Sequence, residues 1–227
     1  MSEQFLKLIQ KGAAAEVVEA VQADPAVVVY RDANDVSMLL WAVYAGQPAI
    51  RDFLRTRLAA ADIPLDLFEA AATGEEARLQ AILSQNETAV EAFSGDGWTA
   101  LHLAAAFGTP LSVATLIFRG ARVDVVSKNG QRNQPLHAAM ALAKNRSTVE
   151  LLLTNGADPN ATQAGGFTPI FSAAAANRRD LAELLVNNGA NPHHANDGGK
   201  TPGDFARQHG HEELATWLEG QTAEVVD

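Results

Sequence analysis

Apolar residues recur along the chain in short clusters at helical spacing, and glycines and polar turns separate the clusters. In the second half, leucine-rich runs end at Gly120, Gly156 and Gly189. A glycine at this point is typical of a helix that ends through a left-handed residue. Other apolar segments start at Thr168-Pro169 and Thr201-Pro202, where a threonine hydroxyl can cap a helix and proline suits its first position. The pattern predicts pairs of helices joined by tight turns.

These helix pairs repeat. The segment that starts Thr-Ala-Leu-His-Leu-Ala at Thr99 returns in related form at Gln134, Thr168 and Thr201, with offsets of 35, 34 and 33 residues. A second marker, a leucine-rich run followed by Gly-Ala, comes after each of the first three segments. Two markers in a constant order indicate a repeat architecture.

At these residues the sequence resembles the ankyrin repeat family, whose unit has about 33 residues and a Thr-Pro-Leu-His-x-Ala signature. The resemblance implies an all-α solenoid in which each unit has two helices and a short β-hairpin-like finger. It also implies that the fingers and the exposed sides of the first helices form a concave binding face. His102 and His137 occupy the signature position, where the resemblance implies an imidazole hydrogen-bonded to the backbone of adjoining turns.

The first half is more degenerate, but four glycines keep the frame. Gly12, Gly46, Gly74 and Gly108 follow one another at steps of 34, 28 and 34 residues. The short step predicts a shortened finger near residues 61–64. We therefore predict about seven units in one domain over residues 1–220, with a flexible tail at 221–227. The approximate units are 1–34, 35–62, 63–95, 96–130, 131–164, 165–197 and 198–220.

The repeat frame also predicts which side chains face a partner. The finger at residues 125–134 carries an insertion relative to its neighbours, and insertions in repeat proteins often lie on the binding face. Trp98, Phe107 and Phe167 fall on this face in adjacent units, with Tyr44 further away, and aromatic residues beside an arginine are typical of interface hot spots. Alternatively, Trp98 and Phe167 only cover the neighbouring finger. The predicted partner-binding residues are Tyr44, Asp96, Trp98, Phe107, Arg132, Asn133, Leu142, Phe167 and Lys200.

Composition narrows the function classes. A 47% apolar content with 19% charged residues is ordinary for a packed protein, and the net charge of -10 disfavours nucleic acid and anionic membrane surfaces as partners. No apolar run approaches the roughly 18 residues of a membrane span. The absence of cysteine is best compatible with the cytoplasm. Five lysines against twelve arginines, with abundant alanine, suggest a bacterial source, and we expect a monomer.

The sequence contains little that indicates a metal site, a phosphate-binding loop or a catalytic site. The only histidine clusters are His193-His194 and the pair His209 and His211, and no carboxylate or cysteine completes a zinc set at helical spacing. Gly199-Lys200-Thr201 resembles a phosphate loop only superficially. We therefore predict no catalytic residue, no metal site and no cofactor, and we do not expect an enzyme.

The leading hypothesis is a protein-protein interaction module that binds one specific protein through its concave face. A rival is an inhibitor or immunity protein that blocks an enzyme's active site, with Asp66, Glu69, Glu75 and Glu76 mimicking an anionic substrate. A weaker rival is a ligand or metal sensor that uses the histidines near 193 and 209.

Overall fold

The computed structural model describes residues 2–142 and 145–221, so most of the predicted tail lies outside the described residues. Within these ranges the chain forms fourteen α-helices, which follow one another as seven pairs. The pairs are α1 (Ser2–Lys11) and α2 (Ala14–Ala23), α3 (Met38–Tyr44) and α4 (Pro48–Ala60), α5 (Leu67–Thr73) and α6 (Glu76–Gln85), α7 (Ala100–Ala106) and α8 (Pro110–Phe118), α9 (Pro135–Leu142) and α10 (Arg146–Thr154), α11 (Pro169–Ala175) and α12 (Arg179–Asn187), and α13 (Pro202–Gln208) and α14 (Glu212–Glu219).

The helices form two layers of a solenoid. Each first helix packs on the first helix of the next pair, from α1 through to α13, and a second layer runs from α6 through α8 and α10 to α12. Leu101, Leu136 and Ile170 hold corresponding places in three first helices, and all are buried in the seam between the layers. Ala104 and Ala173 are buried as well, and their small side chains let neighbouring helices approach closely. The predicted all-α repeat solenoid is confirmed.

The C-terminal ends of the second helices follow the sequence prediction. Gly120, Gly156 and Gly189 have φ values of 93°, 88° and 88°, which place them in the left-handed region. The amide of Ala121, after the first of them, donates to the carbonyl of Leu116 at 2.9 Å. This six-residue closure satisfies a carbonyl that the helix leaves without a partner.

The N-terminal ends of the helices follow the sequence prediction only in part. Thr201 caps α13 by accepting a hydrogen bond from the Asp204 amide at 3.2 Å. Thr168 precedes α11, but its side chain makes no capping hydrogen bond. The prediction of a hydroxyl cap at Thr168 is therefore wrong. Pro169 still starts the helix there, because its fixed φ suits the first helical position.

Each connection between one pair and the next is called a finger here. The described residues contain no named strand, only isolated bridges between Arg31 and Ser37 and between Phe93 and Thr99. The finger tips are closed by backbone hydrogen bonds such as Ser94 to Trp98 at 2.7 Å. Backbone hydrogen bonds also connect neighbouring fingers, for example the bond from the Lys128 amide to the Gly97 carbonyl at 2.8 Å.

Two fingers depart from the common length, as predicted. Only residues 61–66 connect α4 to α5, so the third pair lacks a full finger in front of it. The fingers on either side therefore meet: a Cβ added to Gly95 would lie 1.5 Å from the Asn34 carbonyl oxygen. Conversely, the tip bond from Ser127 reaches Asn133, six residues on, whereas the bonds from Ser94 and Gln163 span four. The predicted insertion at residues 125–134 is confirmed.

No helix within residues 2–142 or 145–221 combines the length and apolar character that crossing a bilayer requires.

Candidate functional site

Three aromatic side chains meet on the face formed by the finger tips and the ends of the first helices. The ring centroids of Tyr44 and Phe107 are 5.4 Å apart, and those of Phe107 and Trp98 are 6.3 Å apart and stacked. Each of the three residues is half-buried. We call Tyr44, Trp98 and Phe107 the aromatic cluster, and the face that carries it the finger face.

The position of Tyr44 differs from the sequence prediction, which put this residue away from the other aromatics. Tyr44 ends α3 and Phe107 follows α7, so the whole of α5 lies between them in the chain. In the repeat frame α5 carries the small residue Thr73 at the place of Phe107, so α5 presents no ring there. The shortened finger before α5 also removes the loop that would otherwise separate the fingers before α3 and α7.

The aromatic cluster separates two open pockets. The first, of about 430 Å³, is lined by the three cluster residues together with Asp96 and residues 129–131. The second, of about 360 Å³, shares Trp98 and Phe107 and extends to Asn133 and Leu142. Gly130 and Gln131 line both pockets, and neither belongs to the set of residues predicted from the sequence. The insertion in their finger was the signal that could have found them.

The first pocket is polar at one end. The Tyr44 hydroxyl is buried beside Asp96 and has no hydrogen-bond partner among the described residues that meets ordinary geometry. Burial, then the charge of Asp96 and hydrogen bonding to it, and lastly the charges of Asp32 and Asp66, raise the pKa of Tyr44 well above its ordinary value. This phenol therefore stays protonated and keeps its O–H as a donor beside Asp96.

Phe167 belongs to a different aromatic group. Its ring lies 5.2 Å from Phe171 and 5.6 Å from Phe205 in edge-to-face contacts, and it is half-buried. These contacts fit the interpretation of Phe167 as a cover over neighbouring units. Lys200, on the next finger, is exposed and donates from Nζ to Gln208 at 2.6 Å.

The remaining predicted residues have distinct surroundings. Arg132 is exposed with a left-handed φ of 50°, and it lines neither of the two pockets. Asn133 is only 4% exposed, and its backbone N–H donates to the hydroxyl of Ser127. It therefore stabilises the inserted finger as well as lining the second pocket. Leu142, at the end of α9, is 39% exposed.

The repeat markers imply the architecture that the structure has: helix pairs whose second helices end at left-handed glycines, with hydrogen bonds between successive fingers. A family model described as ankyrin repeats (three copies) matches residues 67–163 and 136–227. The chain belongs to the ankyrin repeat family. No curated protein matches it. Ankyrin repeats generally serve as protein-protein interaction modules.

The two histidines at the ankyrin signature position have the structural role that the resemblance implied. His102 Nε2 lies 3.1 Å from the carbonyl of Asn133 in the next finger, and His137 Nε2 lies 3.2 Å from that of Phe167. Burial lowers the pKa of His102 to about 4 and also lowers the pKa of His137. Both imidazoles are therefore neutral near pH 7 and donate a hydrogen bond that holds the following finger in place.

The histidines near 193 and 209 are also engaged with backbone carbonyls. His193 Nε2 lies 2.7 Å from the Gln221 carbonyl, His194 Nε2 lies 3.0 Å from that of Gly166, and His209 Nδ1 lies 2.8 Å from that of Phe205. Across the part of the chain that the structure describes, no three histidine, aspartate or glutamate side chains converge as metal ligands would.

The acidic residues of the inhibitor hypothesis are tied into the ankyrin units. Asp66 and Glu69 form a capping box at the start of α5, and Glu69 is buried there. Asp66 also pairs with Arg31 at 2.7 Å. Glu75 pairs with Arg55, and Glu76 accepts a hydrogen bond from Thr115. These carboxylates hold neighbouring units together.

Proposed function

We propose that this ankyrin chain is a non-catalytic interaction module that binds one protein partner through its finger face. The observation that carries the proposal is the position of Trp98 and Phe107, which stand half-buried between two adjacent open pockets. Large aromatic side chains at the centre of such a surface are typical of interface hot spots, because they bury much area at little entropic cost.

The proposed interface is centred on the aromatic cluster and extends in both directions. Asp96 adds charge to the first pocket, and Leu142 adds apolar surface to the second. Arg132 is exposed on the inserted finger and is proposed to contact the partner from the rim. Phe167 and Lys200, on the next two fingers after that of Arg132, would contact only a partner that is long enough to reach the last units.

We also propose that all seven helix pairs are ankyrin units, within the boundaries derived from the repeat. The pairs before the matched segment support this, because α1 packs on α3 and α3 on α5 in the same layer. Gly12 and Gly46 end their turns in the left-handed region, with φ of 71° and 64°. A monomer in a bacterial cytoplasm completes the proposal and rests on composition.

The test is capture of a partner from extracts of the source organism on the immobilised chain, followed by affinity measurement with the purified partner. Trp98→Ala and Phe107→Ala should each weaken binding by more than about 1 kcal/mol, the usual threshold for a significant interface residue. Phe118→Ala is the matched control, because Phe118 is 87% exposed on α8 and lines neither pocket. Circular dichroism must show all three variants to be folded.

If the two variants in the aromatic cluster bind the partner as tightly as the wild type, the finger face is not the interface. If Phe118→Ala is the variant that loses binding, the partner sits on the second-helix side of the solenoid instead.

A further inference from the structure

We infer that the first pocket of the finger face receives a positively charged side chain, a lysine or an arginine, from the protein partner. This inference rests on the proposed function and specifies the chemistry of what enters the pocket between Tyr44, Asp96, Trp98 and Phe107. Three kinds of observation support it: the aromatic lining, the unpaired carboxylates and the positions of the neighbouring cations.

The lining suits an organic cation. Tyr44, Trp98 and Phe107 all border the pocket, and its volume of about 430 Å³ leaves room for a long side chain. A cation close to the face of an aromatic ring is attracted by the negative charge density above the ring, most strongly for tryptophan. The aliphatic stem of a lysine or arginine would at the same time cover apolar ring surface.

The charge at the pocket is negative and has no internal counterion. Neither Asp96 nor Asp32 forms an ion pair with any residue in the described ranges. Asp96 accepts a hydrogen bond from Ser94 at 2.6 Å, and the Tyr44 hydroxyl lies beside it. Asp32 binds the Trp41 indole at 3.0 Å, next to Tyr44, and two backbone amides of its own finger. Asp96 lines the pocket itself, whereas Asp32 lies behind the lining and adds negative charge near Tyr44.

Two cations on the flanking fingers are engaged elsewhere, and a third, Arg132, is exposed and lines neither pocket. Arg31 pairs with Asp66 at 2.7 Å and approaches Asp35. Lys128 places Nζ 3.9 Å from the ring centroid of Phe93. The pocket lining contains no lysine or arginine. A basic side chain of the partner can therefore supply the positive charge that the pocket lining lacks.

Other side chains fit this pocket less well. An acidic group would be repelled by Asp96 and Asp32. An apolar group would cover Asp96 and the Tyr44 hydroxyl without supplying a partner, and covering unpaired polar groups costs free energy. A basic group gains the carboxylate and the ring faces together.

The experiment uses a library of short linear peptides displayed on phage and selected on the full-length chain. Binders that also bind Trp98→Ala or Phe107→Ala are discarded, so that only peptides at the aromatic cluster remain. The affinities of the synthesised peptides are then measured by fluorescence polarisation. The variants are Asp96→Asn, which keeps the shape and the acceptor for Ser94, and Asp197→Asn, an exposed carboxylate on another finger that serves as the matched control.

The expected result is that the selected peptides share a lysine or arginine. Replacing that residue with norleucine should lower affinity about tenfold, as the loss of a partly buried charge pair would. Asp96→Asn should weaken binding by a similar factor and Asp197→Asn should leave it unchanged. Binding should also weaken as salt is added.

Two outcomes overturn the inference in different ways. Peptides that need Trp98 but lack a required basic residue, and that bind Asp96→Asn as well as wild type, would refute the cation while leaving the finger face as the interface. If no selected peptide distinguishes the wild type from Trp98→Ala and Phe107→Ala, the proposed interface fails together with its chemistry.

Discussion

Thr99 and Thr168 occupy the same N-cap position in two ankyrin units, but their hydroxyls have different surroundings. Thr99 Oγ1 lies 2.8 Å from His102 Nδ1 and accepts a hydrogen bond from the His102 amide at 3.4 Å. Thr168 Oγ1 is buried without a partner among the described residues. The amide of Phe171, which corresponds to the His102 amide, donates instead to the Thr168 carbonyl at 3.1 Å, and the Phe171 side chain offers no nitrogen to the hydroxyl. The same substitution at both threonines should therefore give opposite results.

Valine keeps the shape of threonine and removes only the hydroxyl. At Thr99 the change removes the cap and one partner of a buried imidazole, and it leaves the His102 amide without an acceptor. Loss of a threonine cap costs about 0.5–2 kcal/mol, so we expect Thr99→Val to lower the free energy of unfolding by about 1–2 kcal/mol. At Thr168 no hydrogen bond is lost, and removal of an unpaired buried hydroxyl is neutral or stabilising.

Urea unfolding followed by circular dichroism measures both variants against the wild type. A change in midpoint without a change in slope reports stability, because the slope depends on the surface exposed by unfolding. We expect a lower midpoint for Thr99→Val and an unchanged or higher midpoint for Thr168→Val. Equal losses in both variants, or a larger loss at Thr168, would show that the Thr168 hydroxyl has a partner in solution and would refute this reasoning.

Three further predictions follow from single contacts. Because burial lowers the pKa of His102 from 6.5 to about 4, the unfolded chain takes up a proton first on acidification. The free energy of unfolding should therefore fall as pH drops from about 6.5 to 4, and His102 should contribute about 1.4 kcal/mol of this loss per pH unit. Urea titrations at several pH values measure it: the free energy of unfolding should depend less steeply on pH in His102→Gln than in the wild type. Gly97→Ala should lower the free energy of unfolding by about 1–3 kcal/mol in the same urea assay, since the φ of Gly97 is 85° and an added Cβ would lie 2.9 Å from the backbone of the next finger. Gly130→Ala should leave the free energy of unfolding unchanged, because an added Cβ there would meet no atom within 4 Å. Tyr44→Phe should leave the thermal midpoint unchanged or raised, because the hydroxyl it removes has no partner in the described structure; a clear loss would contradict the geometry.

Local chemistry made much of the fold predictable. The glycines that end the second helices, the Thr-Pro starts and the leucine spacing each constrain a few consecutive residues, and such constraints can be read without knowledge of distant contacts. The shortened connection at residues 61–66 and the insertion in the finger of Ser127 and Asn133 were visible for the same reason, as departures from a constant repeat length. The hydroxyl cap at Thr168 was predicted wrongly because the Phe171 amide donates to the Thr168 carbonyl, and a Thr-Pro motif does not show that choice of acceptor.

The sequence predicted which side of the solenoid carries the aromatic residues, but not which of them lie together. The repeat frame placed Trp98, Phe107 and Phe167 on one side, yet the structure divides them between two aromatic groups. It brings in Tyr44, because contact across an intervening unit depends on the small side chain at Thr73 and on a missing finger rather than on sequence spacing.

The sequence alone determined the repeat, the helix pairs and the structural, hydrogen-bonded role of His102, since these follow from patterns within one unit or between successive units. Only the tertiary structure decided which aromatic rings meet, and which carboxylates, among them Asp96, remain unpaired beside them. Side chains from units far apart in the chain reach one another only after the stack has formed, so their distances are a property of the assembled solenoid.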